Sequence, residues 1–434
     1  MPDPDVDVVV VGAGPAGAAA ATVLARAGHS VILLERGPFA GSKNMYGGVV
    51  YPRILDQLHP QWWEDAPVQR WITRRSTMVL TDDQALTVDF RSERWGRPPF
   101  NGATAYRPDW DHWLAAKAQA DGATLVCSTT ATGLLREGGQ VVGVTTDRPD
   151  GDLRAHVVIA CDGVNSFLAK EAGMYGEVDA ANYTVGVKET IALPKDVIDA
   201  RFGVRGREGQ DIEILGGTGG VNGGAFVYTN LDTLAVGCVL KLPKLSAQAL
   251  RPEEIIDGLK RHPAIRPLVE DGEVKEYSAH VIPEAGLSMM PQMTGDGMLV
   301  AGDAAAMCLA AGIWLEGVNF AMASGMYAGE AAVEALAAGD ASAAGLAGYE
   351  RRLRDTFVLR DHRKLRRAPE LVLSDRVQHL YPEMIANTVE RMFRVDNPAP
   401  KPGLRRIFSD ERRRAGVTLR DLARDALDGL RSFG

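Results

Sequence analysis

The chain has 434 residues, 46% of them hydrophobic, and carries a formal net charge of -8. This size and composition predict a large buried core divided between two interleaved domains, and the acidic balance argues against a nucleic-acid-binding protein. No apolar run reaches the roughly 18 residues of a membrane-spanning helix, and the first residues lack the pattern of a secretory signal. We therefore expect a cytoplasmic protein that is either soluble or attached peripherally to the membrane.

The first predicted unit is a strand, turn, helix and strand between Val6 and Arg36. Val6 to Val11 is rich in β-branched residues, as expected for a strand that is buried on both faces. An alanine-rich helix from Ala18 to Ala27 follows the turn, and Ser30 to Leu34 is the second strand. The turn itself has the G-x-G-x-x-G spacing, in the segment Gly12-Ala13-Gly14-Pro15-Ala16-Gly17.

Each glycine of this turn has its own part in binding a dinucleotide. Gly12 permits the tight turn, Gly14 allows the backbone to approach a pyrophosphate, and Gly17 lets the helix pack closely on the strand. The helix N-terminus offers unpaired N–H groups to the phosphates, and Glu35 is placed to accept hydrogen bonds from ribose hydroxyls. The alternative is a glycine-rich turn in an unrelated α/β protein, but the surrounding strands, helix and acid favour dinucleotide binding.

The segment Pro38 to Tyr51 is a glycine-bearing loop without periodicity. In a flavin enzyme, Gly47 and Gly48 would let this loop approach the ring system, whereas the alternative is an ordinary surface turn. Short strands are predicted at Met78 to Leu80 and Ala85 to Phe90. The tryptophans of this region either line a cleft or pack in the core, and core packing is the simpler interpretation. These tryptophans are Trp62, Trp63, Trp71 and Trp95.

Beyond this region, a helix is predicted from Tyr106 to about Ala120, with Asp109 or Asp111 as its cap. Arg107, at the start of the helix, would either reach a cofactor phosphate or ribose or remain a surface arginine. Leu153 to Gly163 reads as a second buried strand that ends in Asp-Gly, where a parallel sheet commonly meets a ligand. Shorter strands are predicted at Ala123 to Cys127, Ala131 to Leu135 and Val141 to Thr146.

The character of the chain changes between Thr184 and Leu242, where short alternating strands predict an antiparallel sheet that roofs a cleft. A late motif then lies between Gly297 and Ala305, where a buried strand ends at Gly302-Asp303, and a small-residue helix begins near Gly317. Asp303 would bond a ribityl hydroxyl. The N–H groups at the start of the helix would face the pyrimidine edge of a flavin and stabilise its reduced anion.

Together, three motifs resemble the glutathione-reductase-like FAD family, in its p-hydroxybenzoate-hydroxylase and geranylgeranyl-reductase branch. They are GAGPAG with Glu35-Arg36, CDG at Cys161 to Gly163, and AGDAA at Ala301 to Ala305. More narrowly, four longer segments resemble FixC and the electron-transfer-flavoprotein:quinone oxidoreductases, and the match runs over most of the chain. These segments are KNMYGG at Lys43 to Gly48, GVKETIALPKDVIDARF at 186–202, GGAFVYTN at 223–230 and EGVNFAMASG at 316–325.

The resemblance implies an α/β fold with a Rossmann-type FAD-binding domain of the glutathione-reductase/p-hydroxybenzoate-hydroxylase type, an inserted antiparallel-sheet substrate domain and a helical carboxy-terminal region. The FAD-binding domain would comprise residues 1–75, 106–178 and 286–345. Residues 76–105 and 179–285 would form the substrate or quinone side, and residues 346–434 the helical region. No catalytic side chain and no metal ligand is assigned.

The resemblance also implies which residues bind the FAD, and they are spread over the three FAD-binding segments. They are Gly12, Gly14, Pro15, Ala16, Gly17, Glu35, Arg36, Met45, Gly47, Gly48, Arg107, Ala131, Thr132, Cys161, Asp162, Gly163, Gly302, Asp303, Gly312, Gly317, Val318 and Asn319.

One departure from the family is informative. Its single-chain oxidoreductases carry a carboxy-terminal four-cysteine iron-sulfur domain, and no cysteine follows Cys308 here. The remaining cysteines, at positions 127, 161 and 238, are far apart and suit neither a metal cluster nor a disulfide framework. The departure favours the FixC type, in which a separate ferredoxin-like iron-sulfur subunit supplies the cluster.

The implied function is to pass electrons from an electron-transfer flavoprotein to membrane quinone, within a bifurcating FixABCX complex that also reduces ferredoxin. One alternative is a geranylgeranyl-type FAD reductase of isoprenoid double bonds. Another is a subunit that binds FAD structurally and recruits partners to the membrane without catalysis. Apolar residues near the flavin helix would either form part of a quinone entrance or pack in the core, namely Ile313, Trp314, Leu315 and Phe320.

The carboxy-terminal region is rich in arginine. A helical stretch between Arg351 and Arg367 is opposed by only two aspartates, and a final amphipathic helix is predicted from about Leu419 to Leu430. A basic patch on an acidic protein can dock an acidic partner or anionic lipid. A solvated helix face is the equally weighted alternative.

Overall fold

The computed structural model describes residues 3–44, 47–176, 179–284, 286–312 and 315–433. Two large sheets organise this part of the chain, one with eight strands and one with nine. Met45, which the resemblance assigns to the cofactor, and Ile313 and Trp314, from the predicted quinone entrance, lie outside the described residues.

The first sheet is parallel at its centre. Its strands are β1 (Val6–Val11), β2 (Val31–Leu34), β7 (Thr124–Val126), β8 (Ala131–Glu137), β9 (Gln140–Thr146), β10 (Leu153–Ala160), β16 (Thr294–Gly295) and β17 (Met298–Val300). The order is β16-β17-β10-β1-β2-β7, with β9 paired to β10 and β8 to β9. Because β1, β2, β10 and β17 are parallel, their carboxyl ends meet at one edge.

The second sheet is mostly antiparallel. Its strands are β3 (Gly48–Val50), β4 (Val68–Leu80), β5 (Ala85–Arg91), β6 (Ala103–Ala105), β11 (Tyr183–Ala192), β12 (Glu208–Leu215), β13 (Gly223–Thr229), β14 (Thr233–Lys241) and β15 (Glu273–Pro283). The order is β15-β11-β14-β13-β12-β4-β6-β3, with β5 on β4. The predicted strand at 78–80 is the end of the much longer β4, because its pairing with β12 continues back to Trp71. A short ribbon joins β18 (Leu309–Ala310) to β19 (Leu315–Glu316).

Helices cover the first sheet and make up the carboxy-terminal region. They are α1 (Pro15–Arg26), α2 (Leu55–Leu58), α3 (Arg107–Ala120), α4 (Phe167–Glu171), α5 (Lys195–Phe202), α6 (Leu242–Gln248), α7 (Pro252–Arg261), α8 (Arg266–Val269), α9 (Val318–Ala338), α10 (Ala343–Leu346), α11 (Gly348–Asp355), α12 (Phe357–Lys364), α13 (Ala368–Val372), α14 (Tyr381–Phe393), α15 (Leu404–Arg414) and α16 (Leu419–Phe433). Among the described residues, none of these helices is both long and apolar enough to cross a membrane.

The core beneath the first sheet depends on a close crossing of α1 and α9. A Cβ added to Gly325 would lie 1.9 Å from the carbonyl oxygen of Ala16, and one added to Gly329 would lie 2.9 Å from that of Ala20. Real Cβ atoms do not approach so closely, so only glycine allows the two backbones to touch at these points. The crossing holds the amino-terminal ends of both helices near the carboxyl edge of the sheet.

The structure shows how two of the tryptophans pack and which residue occupies the cap position of α3. Trp62 and Trp71 are buried and belong to the main core, and the Trp71 ring stacks on Phe100 at 3.6 Å, which confirms core packing for these two tryptophans. The predicted cap of α3 is wrong, because the cap position is Tyr106 and no side chain caps this end. Asp111 instead lies inside the helix, buried, and forms an ion pair.

Candidate active site

The G-x-G-x-x-G turn connects the end of β1 to α1 at the carboxyl edge of the parallel sheet. Gly12 has φ of +101°, and an added Cβ would lie 2.3 Å from the carbonyl oxygen of Cys161. One added to Gly17 would lie 1.9 Å from the carbonyl oxygen of Gly12. Gly14 differs, because its φ is -74° and nothing lies within 4 Å of an added Cβ. The turn therefore keeps open space on the side of Gly14, beside the first N–H groups of α1.

Glu35 follows β2 and is buried against this turn. Its Oε2 accepts a hydrogen bond from the Ala13 N–H at 3.2 Å, and its Oε1 accepts one from the Gly37 N–H at 2.7 Å. The Glu35 carboxylate therefore orders the glycine loop. It also lies at the position where the sequence predicts a ribose. Its backbone carbonyl accepts the N–H of Thr129 at 3.0 Å, which brings the start of β8 close to the same place. Arg36 is exposed.

The predicted residues Ala131 and Thr132 lie at the start of β8, close to that contact. The Thr132 hydroxyl lies 3.0 Å from the Thr145 hydroxyl on β9. Their part in binding the cofactor stays a prediction.

Arg107 opens α3 and forms a bidentate ion pair with Asp111 at 2.9 and 3.0 Å. The Asn44 amide also donates a hydrogen bond to Asp111. Burial works against the charge of Arg107, yet the carboxylates of Asp111 and Asp303 raise its pKa. Asp303 acts on this pKa from the end of β17, so Arg107 faces the carboxyl edge of the parallel sheet. The alternative of a surface arginine does not fit this setting.

Gly302 and Asp303 follow β17. Gly302 has φ of +67°, and its N–H donates to the Ser324 hydroxyl of α9 at 2.9 Å. Burial raises the pKa of the Asp303 carboxyl, while the charges of Arg107 and His280 lower it. His280 belongs to β15 of the second sheet, and burial lowers its own pKa. The late motif therefore lies close to Arg107 of α3 and to His280 of the second sheet.

The CDG segment follows β10, between the turn and β17. The Cys161 N–H donates to the carbonyl of Val11 at 2.8 Å, and Gly163 has φ of +79°. The Asp162 Oδ2 accepts the Leu168 N–H at 3.1 Å, while its Oδ1 is buried and has no hydrogen-bond partner among the described residues. Burial raises the pKa of this carboxyl.

The start of α9 forms the opposite end of the site. Gly317 is the residue before the helix, and the Asn319 amide donates to Glu316 at 2.5 Å. Its Oδ1 is buried and has no hydrogen-bond partner among the described residues. Val318 opens the helix, and Gly312 precedes this segment with φ of +73°. Phe320 is fully buried and its ring packs on Phe357 and His362, so Phe320 is a core residue and not part of an entrance.

The loop that carries Gly47 contacts the second sheet. Gly47 has φ of +77°, and an added Cβ would lie 3.2 Å from the Tyr106 ring. The Lys188 ammonium on β11 donates a hydrogen bond to the Gly47 carbonyl. Burial, with a further effect from the charge of Arg107, lowers the pKa of Lys188 to about 7. Gly48 begins β3, with nothing within 4 Å of an added Cβ, so it leaves room beside the loop.

A charged group on the second sheet was not predicted from the sequence. This group contains Arg75 on β4 and Asp211 and Glu213 on β12. The alternation in the segment QDIEIL does indicate one polar face, but such a face is usually taken to be exposed to solvent. Only the packing of the two sheets shows that it is buried.

These features fit a bound flavin dinucleotide. Open space lies beside Gly14 at the amino terminus of α1, where a pyrophosphate would approach the N–H groups. The buried, unpartnered oxygens of Asp162 and Asn319 lie in segments that the sequence assigns to the cofactor. A buried polar atom without a hydrogen-bond partner is energetically unfavourable. A ligand that donates hydrogen bonds to these two oxygens would remove this energetic penalty.

Comparison with known proteins agrees with this geometry. Residues 7–190 match the family model described as FAD dependent oxidoreductase, and residues 368–434 match the ETF-QO/FixC family C-terminal domain. The probable electron transfer flavoprotein-quinone oxidoreductase YdiS of Escherichia coli K12 is 38% identical over 94% of both chains. Protein FixC of Azotobacter vinelandii is 41% identical over 87% of both chains.

Solved structures share the fold. A geranylgeranyl bacteriochlorophyll reductase-like protein of Thermoplasma acidophilum superposes with a TM-score of 0.73 at 22% identity, covering 94% of this chain and 97% of its own. The flavin-dependent brominase Bmp2 gives a TM-score of 0.66 at 16% identity, over 98% of both chains. At these identities the likeness concerns the fold alone.

The fold and its cradle therefore define an FAD-dependent oxidoreductase, and FAD is its cofactor. More narrowly, the extent of the similarity to YdiS and to the FixC proteins places the chain in one family. The chain belongs to the ETF-QO/FixC family.

Proposed function

We propose that this protein accepts electrons from an electron-transfer flavoprotein and passes them to membrane quinone, as the FixC-like subunit of a bifurcating complex that also supplies low-potential electrons to ferredoxin. The observation that carries the proposal is the similarity to YdiS, a probable electron transfer flavoprotein-quinone oxidoreductase, over 94% of both chains. Bound FAD supplies the reversible two-electron chemistry. The residues around it bind and orient the cofactor and exclude water.

In this proposal the carboxy-terminal helix α16 is a docking surface. Its polar side faces inward, since Asp425 is buried and accepts two hydrogen bonds from Arg376, at 2.6 and 2.7 Å. Three of its four leucines point outward, since Leu419, Leu427 and Leu430 are 66%, 53% and 69% exposed. An amphipathic helix normally buries its apolar stripe, so a stripe turned outward favours a binding partner.

We propose that the occupant of this stripe is the ferredoxin-like iron-sulfur subunit. No cysteine follows Cys308 in these 434 residues, and we infer that the iron-sulfur cluster is carried by a separate polypeptide. Arginines flank the stripe at Arg420, Arg424 and Arg431, and they suit an acidic partner. In this proposal, the protein transfers electrons to quinone at the inner face of the cytoplasmic membrane.

The central experiment is anaerobic. The FAD-loaded protein is mixed with reduced electron-transfer flavoprotein, a short-chain quinone is then added, and the flavin absorbance is followed. Reduction followed by rapid reoxidation supports the proposal. If the flavin stays oxidised with this donor, yet turns over with a geranylgeranyl substrate and a chemical reductant, the proposal is wrong and the protein is an isoprenoid reductase.

A second experiment tests the docking surface. Leu427→Glu with Leu430→Glu would place two charges on the outward stripe, and Val88→Glu, at a residue 70% exposed on β5, is the matched control. We expect the double variant to lose binding of the purified iron-sulfur subunit, measured by calorimetry, and to keep its quinone reoxidation rate. Equal binding by both variants would rule out this face.

A further inference from the structure

The second sheet has two faces of opposite character. One face packs on helices α5 and α7 through an apolar core that includes Val187, Ile212, Ile214, Val227 and Val236. Because side chains alternate along a strand, the residues between these point to the other face. They include Lys188, Asp211, Glu213 and Tyr228, and Arg75 pairs with Asp211 across the strands. This second face is turned toward the carboxyl edge of the first sheet, because His280, which lies opposite Gly186 on this face, is close enough to Asp303 for its charge to lower the pKa of that carboxyl.

An unbalanced group of charges lies on this face. Arg75 on β4 lies between two carboxylates of β12, with Nε 3.1 Å from Oδ2 of Asp211 and Nη2 2.6 Å from Oε1 of Glu213. The Asp211 side chain is 1% exposed, and its Oδ1 has no hydrogen-bond partner among the described residues. The Glu213 side chain keeps 13% exposure. One guanidinium cannot neutralise both carboxylates, and leaving one of them charged and buried is costly.

Burial raises the pKa of both carboxyls, and the charge of Asp211 raises that of Glu213 further, while Arg75 lowers both. Two acids this close share protons, so the pair retains one proton near neutral pH. Among the residues that the structure describes, the pair also faces Tyr51 and Tyr228, whose hydroxyls stay protonated because burial raises their pKa, and Glu316.

The carboxyls of Asp211 and Glu213 lie near the start of α9, the segment that is predicted to bind the flavin ring. The Arg75 guanidinium lies 5.8 Å above the Tyr51 ring. The charge of Glu316 is close enough to raise the pKa of Tyr51, and that of Arg75 to lower the pKa of Glu316. Glu316 directly precedes Gly317, the residue before α9. On the neighbouring strand, Tyr228 and Phe226 lie opposite Asp211 and Glu213 and stack on each other at 4.6 Å, so an aromatic pair lies beside the carboxyls.

We propose that Glu213 is the proton donor to the quinone, with Asp211 and Arg75 as positioning residues. This rests on the proposed function. Hydride-equivalent transfer from the singly protonated reduced flavin leaves oxidised FAD and a quinol anion, which lacks one proton. The Glu213 carboxyl gives that proton to the quinol oxygen, becomes a carboxylate held by Arg75, and is reprotonated from water through its exposed edge.

The test separates proton-coupled from proton-free oxidation. The FAD-loaded protein is reduced and then reoxidised in single turnover by a short-chain quinone or by ferricenium, a one-electron oxidant that takes no proton. We expect Glu213→Gln to slow the quinone reaction about 100-fold at neutral pH and to leave the ferricenium reaction unchanged. The wild-type quinone rate should fall as pH rises through the raised pKa of Glu213, and the variant should lack this dependence.

Glu189→Gln is the matched control. Glu189 lies on β11, is 11% exposed and pairs with a single cation, Lys260, at 2.7 Å, on the opposite face of the sheet. We expect wild-type rates with both oxidants. A Glu213→Gln variant that reacts like the control would overturn the proposal, as would equal slowing with both oxidants. If wild-type protein reacts with ferricenium but with no quinone, the proposed function itself fails.

Infrared spectroscopy supplies a readout independent of turnover. In the oxidised holoprotein at neutral pH, we expect a carbonyl stretch from a protonated carboxylic acid that disappears in Glu213→Gln and persists in Glu189→Gln. Absence of this band from the wild-type protein would show that the pair holds no proton and would contradict the proposal, whatever the kinetics.

Discussion

The two surfaces that face each other across the site are built on different principles. The edge of the parallel sheet is predicted to bind the cofactor through its backbone, since Gly12, Gly14 and Gly17 shape a turn with free space beside Gly14. The opposing face of the antiparallel sheet acts through side chains, of which Arg75 and Glu213 are central. The first surface has no room for an added Cβ at Gly12 or Gly17. The second surface keeps charged side chains buried away from water.

This difference predicts opposite responses to mutation. A substitution on the backbone surface destabilises the protein by steric overlap. Because no titrating group is involved, this loss of stability does not depend on pH. Side-chain surfaces fail by uncompensated charge, and therefore respond to pH. The free energy of unfolding, measured as a function of pH, distinguishes the two.

The largest effect is expected where two backbones touch. Gly325→Ala would place a Cβ 1.9 Å from the Ala16 carbonyl oxygen, and α1 and α9 would have to separate. We expect a loss of about 3 kcal/mol in the free energy of unfolding, equal at acid and alkaline pH, together with loss of bound FAD. Gly258→Ala in α7, where an added Cβ meets nothing within 4 Å, is the control and should be neutral or slightly stabilising. A pH-dependent loss in Gly325→Ala would contradict the steric explanation.

A smaller, pH-dependent effect is expected on the antiparallel sheet. Arg75→Met removes the cation between Asp211 and Glu213, so the pKa of both carboxyls rises further above the unfolded values. A raised pKa costs stability once pH exceeds about 4, where the unfolded acids ionise. We expect little loss in acid and about 2 kcal/mol at alkaline pH, measured by urea unfolding.

The adjacent Arg74 provides the control for that series. It pairs with Asp89 at 2.8 Å, and both side chains are partly exposed, so Asp89 would be hydrated after Arg74→Met. The loss in Arg74→Met should be smaller and nearly constant above about pH 5, because Arg74 lowers the pKa of Asp89 and that carboxyl is ionised throughout this range. If the Arg75 and Arg74 variants show the same pH profile, the two carboxyls are not the source of the effect.

The two surfaces also differ in how far the sequence predicts them. The cradle is local, because Gly12 to Glu35 is one contiguous unit whose spacing indicates both the fold and the ligand class. The charged face brings Arg75 and Glu213 together from strands more than a hundred positions apart. The predicted cap of α3 is wrong for a different, local reason: the helix already begins at Arg107, and Asp111 lies one turn inside it, where it pairs with Arg107. Long-range pairing leaves no signature in a single sequence.

The smallest effect on folding is expected at Gly14, although it is central to the cradle. Its backbone has φ of -74°, which any residue adopts, and an added Cβ meets nothing within 4 Å. Gly14→Ala should therefore change the free energy of unfolding of the flavin-free protein by less than about 0.5 kcal/mol. The methyl group would instead occupy the space that the pyrophosphate needs. We expect FAD binding to weaken at least roughly 10-fold, about 1.4 kcal/mol, in a fluorescence titration. Unchanged FAD affinity in a stable Gly14→Ala protein would mean that the pyrophosphate approaches the turn elsewhere, and the open side of Gly14 would then need another explanation.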